Sequence, residues 1–155
     1  MKDADQSILL AMKKRSFGAG KWNGFGGKLI PGETPAAALI REAQEEVSVE
    51  LAERDLEKVA EIAFHFVDKP DWDQLCHVYI ARVWKGEPVE SEEMAPQWYP
   101  STAIPYGNMW IDDEFWLPQV VAGKKISAEF WFQKENPDAA GEKLVKQEVK
   151  EVASF

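Results

Sequence analysis

The stretch from Phe17 to Val49 constrains this chain more than any other. Phe17 to Gly32 contains six glycines, at positions 18, 20, 24, 26, 27 and 32, and leads straight into Thr34-Pro35. Glycine adopts positive φ freely and lets the backbone approach a ligand closely. Threonine is a favoured helix N-cap and proline suits the first helical position. Ala36, Leu39, Ile40, Ala43 and Val47 then recur at helical spacing, which predicts a helix from Pro35 to Val47. Its polar face carries Glu42, Glu45 and Glu46 at i, i+3 and i+4. Like charges at that spacing cost about 0.2–0.5 kcal/mol per pair. Cations relieve the repulsion, and carboxylate oxygens are hard donors that favour Mg²⁺, Ca²⁺ or Mn²⁺. Arg41 and Lys28 are suited to orient these carboxylates or to contact phosphate.

Elsewhere the pattern alternates mainly as strands. Ser7 to Met12, Val59 to Val67, Leu75 to Trp84 and Ile126 to Phe132 read as strands, and Trp98-Tyr99 as a shorter one. A Pro/Asp-rich turn from Lys69 to Asp73 joins the second and third of these. Asp113 to Val121 reads as a second helix, with Pro118 inside it and Gly123 near its end. Lys143 to Val152 fits a strand or a short helix. The class is therefore α+β, in one domain spanning residues 1–155.

Composition narrows the function classes. A net charge of −9 disfavours non-specific binding to polymeric nucleic acid, where phosphate contacts dominate affinity. It leaves room for a small phosphorylated ligand whose charge is offset by metal ions. No apolar run is long enough to span a bilayer, and no secretory signal pattern opens the chain. A single cysteine, Cys76, excludes an internal disulfide and fits a reducing, cytoplasmic setting. It reads as a small buried residue. His65 and His77 lie in strand patterns without a partner at metal-ligand spacing.

A charge run alone is more often a solvated helix face than a metal site. Here the glycine loop, a spaced glutamate and the Arg-Glu/Glu-Glu cluster occur together. Gly27 to Val49 resembles the Nudix box, G-x5-E-x7-R-E-U-x-E-E-x-G-U, where U is aliphatic. Gly27, Glu33, Arg41, Glu42, Glu45 and Glu46 match, while Ala43 is a small aliphatic and Ser48 stands at the second glycine. Ser48 is expected to end the helix at an αL cost of about 1 kcal/mol. The resemblance implies a Nudix α/β/α sandwich around a mixed sheet. It also implies Mg²⁺, with Mn²⁺ as a substitute, bound by Glu42, Glu45 and Glu46 and the Gly26 carbonyl. Water then attacks a phosphorus of a pyrophosphate linkage, with Arg41 in support.

Three further segments resemble the animal oxidised purine nucleoside triphosphatases. They are Met12 to Lys28, Pro88 to Met94, and Asn108 to Pro118. That resemblance implies base recognition by Asn23, Asp112 and Asp113, in an apolar slot of Phe17, Phe64, Met94, Trp110 and Trp116. It places Lys13 near the phosphates and makes Glu93 an additional carboxylate for metal or water. A carboxylate accepts well from the N1–H and exocyclic amine of 8-oxoguanine. Two adjacent acids that share a proton would present an acceptor and a donor together, and so take 2-hydroxyadenine as well. The alternatives are structural: Asp112-Asp113 as a helix N-cap, the tryptophans as core, and Asn23 as a turn residue.

One departure stands out. The family carries an apolar strand before the one at Ser7, whereas Met1 to Gln6 are polar here. Either the start is truncated or the strand is absent. Absence would open a sheet edge and favour a dimer over a monomer. The expected activity is sanitation of the nucleotide pool by hydrolysis of oxidised purine triphosphates. The alternatives are a broader pyrophosphatase for dinucleoside polyphosphates or nucleotide sugars, and a nucleotide-binding module without turnover.

Overall fold

The computed structural model describes residues 1, 6–134 and 142–155. Residues 2–5, on which the expected loss of a first strand turns, lie outside that set. The chain forms two compact units, Met1–Glu57 with Ile80–Trp110, and Lys58–Tyr79 with Ile111–Phe155.

The first unit is built on a three-stranded sheet in the order β2-β1-β5, from Trp22–Asn23, Ser7–Lys13 and Met94–Pro100. β1 pairs antiparallel with both neighbours, and Lys13 sits opposite Met94. α1 spans Pro35–Val47, the limits its sequence predicts. Thr34 caps it, accepting from the Ala37 N–H at 3.2 Å. At the other end Ser48 adopts the left-handed region, φ 60° and ψ 31°. The Ser48 and Val49 N–H groups then close on the carbonyls of Gln44 and Ala43, an αL stop that a serine sustains at modest strain. Ala43 is fully buried, so the small aliphatic at that place suits close packing. Ala11, Val47, Val49 and Met94 form the core that joins α1 to the sheet, with Phe25, Leu51 and Trp84 packed against it. This packing aims the polar face of α1 away from the core.

The second unit carries a mixed sheet in the order β4-β3-β6-β7, from Gln74–Ala81, Leu56–Phe66, Lys125–Lys134 and Glu142–Val152. β3 and β6 run parallel, and β6 and β7 antiparallel. Ala60, Ile62 and Phe64 lie beside Ile126, Ala128 and Phe130, so one face is continuously apolar. Phe130 is fully buried there, and truncating such a ring to alanine costs about 3–5 kcal/mol. α2, Asp113–Val121, packs on β6 and buries Leu117 and Val120. Two expectations change. The ambiguous segment near the C-terminus is a strand because β6 supplies a ladder partner. Cys76 is exposed rather than buried: among the described residues β4 ends the sheet order, and Gln74, Leu75 and Cys76 at its start are all exposed.

Candidate active site

In the first unit the acidic face of α1 borders a cleft of about 340 Å³, lined by Glu42, Glu45, Glu46, Ser91, Glu92 and Glu93. Helical periodicity places the first three, and the segment before β5 supplies the rest. Arg41 organises the rim. Its Nε and Nη2 donate to the two carboxylate oxygens of Glu33 at 3.0 and 3.1 Å, and its Nη1 donates to Glu42 at 2.7 Å and Glu45 at 3.3 Å. Such bidentate, charge-assisted pairing is the strong form of the contact. Glu33, quoted in the motif but given no role from sequence, is therefore the residue that aims Arg41, and its seven-residue gap from Arg41 was the available signal. Arg41 in turn holds the Glu33 carboxyl below its ordinary range.

Gly27 has a specific reason to be glycine. A Cβ there would lie 2.6 Å from Glu42 Cδ, so the side chain of Glu42 occupies the space a larger residue needs. At Gly26, φ is +148° and the N–H donates to Glu46 Oε2 at 3.2 Å. Glu46 is only 8% exposed. Burial, helped by the negative charges of Glu42 and Glu93, pushes its carboxyl up to about 7, against the opposing Gly26 hydrogen bond and the Lys13 cation. Lys13 thus sits within electrostatic reach of the carboxylates, as expected for a phosphate-side cation. Glu93 stands opposite, hydrogen-bonded to Arg15, which keeps its carboxyl in the ionised range.

This donor set fits a divalent ion. The oxygens are hard, one is buried with its charge poorly compensated, and the glycine cradle seats Glu42 beside it. Among the described residues no three acidic, histidine or cysteine side chains converge on one point. Arg41 holds Glu42 Oε1 and Glu45 Oε2, and the Gly26 N–H holds Glu46 Oε2.

The expected base-reading residues fall in both units. In the first, Asn23 is exposed and its Oδ1 accepts from the Gly24 N–H at 2.9 Å, a turn contact that fixes the amide's direction. Phe17 stacks on Trp110, with centroids 5.2 Å apart and planes at 23°, so these rings form one wall and not two sides of a slot. Gly18 lies so close that a Cβ would be 2.9 Å from Trp110 Cζ2. Lys21 ties the loop down by donating to the Met109 carbonyl at 2.9 Å. Met94, expected in the apolar slot, is 3% exposed and packs in the core with Ala11, Val47 and Val49.

In the second unit Asp112 and Asp113 are buried, 5% and 3% exposed. Asp112 makes no side-chain cap to α2. Its Oδ2 instead accepts from Trp116 Nε1 at 3.3 Å. Asp112 nonetheless occupies the N-cap position of α2, with Asp113 in its first turn. Burial raises the Asp112 carboxyl above its ordinary range, against the Trp116 hydrogen bond. Phe64 stacks on Phe130 at 6.0 Å and is half-buried. Burial, with the charges of Asp112 and Asp113, also raises the Cys76 thiol. Although Cys76 reaches the surface, its sulfur feels both acids.

The NUDIX domain family matches residues 1–120. The chain belongs to the Nudix hydrolase family, whose members generally need a divalent metal. Among its relatives, the oxidized purine nucleoside triphosphate hydrolase of Mus musculus is 41% identical over 150 residues, which span 97% of this chain and 90% of the mouse protein. The Danio rerio protein of the same description is 44% identical over 126 residues, 81% of this chain and 79% of that protein. In fold, a crystal structure of MutT from Bacillus halodurans is similar, with a TM-score of 0.74 over 94% of this chain and 90% of that chain at 19% identity. Among the described residues no helix is long and apolar enough to cross a membrane.

Proposed function

We propose that this protein hydrolyses oxidised purine nucleoside triphosphates, 8-oxo-dGTP and 2-hydroxy-dATP, to the monophosphate and pyrophosphate with Mg²⁺, and so sanitises the nucleotide pool of a reducing compartment such as the cytoplasm. The observation that carries it is the cleft bounded by Glu42, Glu45, Glu46 and Glu93. The names of the two relatives above support the choice of substrate.

In this reading Glu42, Glu45 and Glu46, with the Gly26 carbonyl, would hold the ion. When bound, it supplies charge neutralisation on the phosphates and an acidified water. Arg41 keeps Glu42 and Glu45 directed into the cleft. Lys13 draws the triphosphate toward the carboxylates. Glu46, the most deeply buried of the three, is held in place by the Gly26 N–H. Within the second unit Asp112 and Asp113 are the candidates to read the base, and Trp116 fixes the direction of Asp112; in the first, the candidate is the amide of Asn23. The buried Asp112, raised in pKa, acts as a hydrogen-bond donor where Asp113 accepts. Phe17, Trp110, Trp116 and Phe64 offer aromatic surface to the purine.

The test is Mg²⁺-dependent pyrophosphate release from 8-oxo-dGTP, 2-hydroxy-dATP, dGTP and a dinucleoside polyphosphate, beside Glu46→Gln. The expected result is the highest kcat/KM on the oxidised triphosphates, lost in the variant. Preference for the dinucleoside polyphosphate would overturn the substrate assignment. Metal-independent turnover, or none, would overturn the hydrolytic reading.

A further inference from the structure

We propose that Arg15 is a positioning residue for Glu93, orienting that carboxylate at the mouth of the cleft. The inference rests on the hydrolytic reading above, in which Glu93 belongs to the carboxylate set.

Five glutamates line this cleft, and like charges drive flexible carboxylates apart and out toward water. The glutamates of α1 are restrained by Arg41 and the Gly26 N–H. Glu93 lies on a different segment and is half exposed. Its restraint comes from the basic turn after β1. Arg15 Nη2 donates to Glu93 Oε1, while Nη1 lies 3.6 Å from Glu92 Oε2. The neighbouring Lys14 donates through Nζ to Glu90 Oε1 at 2.7 Å and to the Ser91 carbonyl at 2.9 Å. The Lys14 backbone N–H donates to the Glu93 carbonyl at 2.8 Å.

The backbone beneath Glu93 is already pinned. Ser91 Oγ accepts from the N–H groups of Glu93 and Met94 at 3.2 and 3.0 Å. Met94 is anchored in the core, and the Val89 N–H donates to the Val47 carbonyl at the end of α1. What remains free to turn is the side chain of Glu93, and Arg15 sets its direction. An exposed ion pair adds little to stability. Its effect here is geometric, since a charge-assisted hydrogen bond on a fixed backbone selects one rotamer.

The test uses Arg15→Gln, Arg15→Lys, Glu93→Gln and the double variant Arg15→Gln/Glu93→Gln of the full chain. Kinetics of pyrophosphate release from 8-oxo-dGTP at saturating Mg²⁺ should show kcat down about tenfold in Arg15→Gln, the scale of losing a supporting contact. KM should stay unchanged, Arg15→Lys should recover most of the rate, and Arg15→Gln should add nothing in the Glu93→Gln background. The second readout needs no turnover. By NMR of the metal-free protein, the methylene protons of Glu93 should be distinct in the wild type and Arg15→Lys, and collapse toward averaged shifts in Arg15→Gln. Additive losses, or a raised KM at intact kcat, would overturn the proposal and make Arg15 a direct phosphate contact. Unchanged Glu93 methylene signals would overturn it as well. A wild type without turnover would sink the hydrolytic reading, while the NMR comparison still decides whether Arg15 orients Glu93.

Discussion

The two helices of this protein present acidic residues in opposite ways. On α1, Glu42 and Glu45 keep part of their surface and share the guanidinium of Arg41, with Glu33 bracing it from behind. On α2, the Asp112–Asp113 pair is buried, and the contact made by Asp112 comes from a neutral indole. Burial raises the Asp112 carboxyl above its ordinary range, against the hydrogen bond from Trp116. The same chemical group thus meets two environments: cation-paired and partly exposed on α1, desolvated beside an indole N–H at the start of α2. Glu46 lies between the extremes, on the α1 face yet buried like the aspartates.

The largest expected effect comes from Glu46→Gln. It should abolish most of the Mg²⁺-dependent pyrophosphate release, because it removes one of the carboxylates proposed to hold the ion. It should also stabilise the metal-free protein above neutral pH. The folded-state carboxyl, at about 7, lies above its unfolded value, so the folded form holds the extra proton. Stability of the metal-free wild type therefore falls as pH rises from the ordinary carboxylate range toward 7, and the variant should lose that slope in denaturant titrations. A variant less stable than wild type at pH 8 would break the comparison.

Next comes Gly27→Ala. The added methyl displaces Glu42 without touching charge, and Mn²⁺ affinity should weaken by about 10–100-fold in a direct binding titration. Unchanged affinity would mean that the cradle is not needed for the ion.

Asp112→Asn sharpens the α2 side. The amide keeps a donor and cannot ionise, so base preference between 8-oxo-dGTP and 2-hydroxy-dATP should shift by about tenfold in kcat/KM. Because burial raises the Asp112 carboxyl, wild-type stability falls as pH climbs from the unfolded aspartate range through the folded value, and the asparagine should flatten that fall. If neither Asp112→Asn nor Asp113→Asn alters base preference, the shared-proton reading is wrong.

The smallest effect belongs to the outer face of the second sheet. His65 stacks on Trp131, with Nδ1 3.0 Å from Asp73 and Nε2 3.2 Å from Glu129. Only the imidazolium donates to both carboxylates. Asp73 first, then Glu129, raises its pKa. This support is complete below about 6.5 and disappears as pH rises through the higher folded value. His65→Gln should remove that dependence at a cost within the roughly 0–1 kcal/mol of surface pairs, seen as a small drop in Tm at pH 6 only.

Legibility in the sequence followed the range of the interaction. The limits of α1 were readable because Thr34, Pro35 and Ser48 act within one turn. β5 was only half visible. Pro96 and Pro100 depress its strand signal, and pairing along the whole of β1 extends it from Met94 to Pro100. β7 was ambiguous until β6 supplied its ladder, with a register shift at Trp131/Phe132. The six-residue step from Gly27 to Glu33 and the eight-residue step from there to Arg41 carried the carboxylate cluster. The packing partners of Phe17 and Met94, Trp110 and the core around Val47, were not legible because they are distant in the chain.

The sequence by itself determined which carboxylates share a face, since about 100° of turn per residue makes i, i+3 and i+4 neighbours whatever surrounds the helix. It also determined where that helix starts and stops. The tertiary structure alone decided how each acid is charged and held. Desolvation of Glu46 and Asp112 depends on what packs over them, and Arg15 meets Glu93 across 78 residues of chain. Solvation and long-range Coulomb energy are properties of the assembled surroundings, which local spacing does not encode.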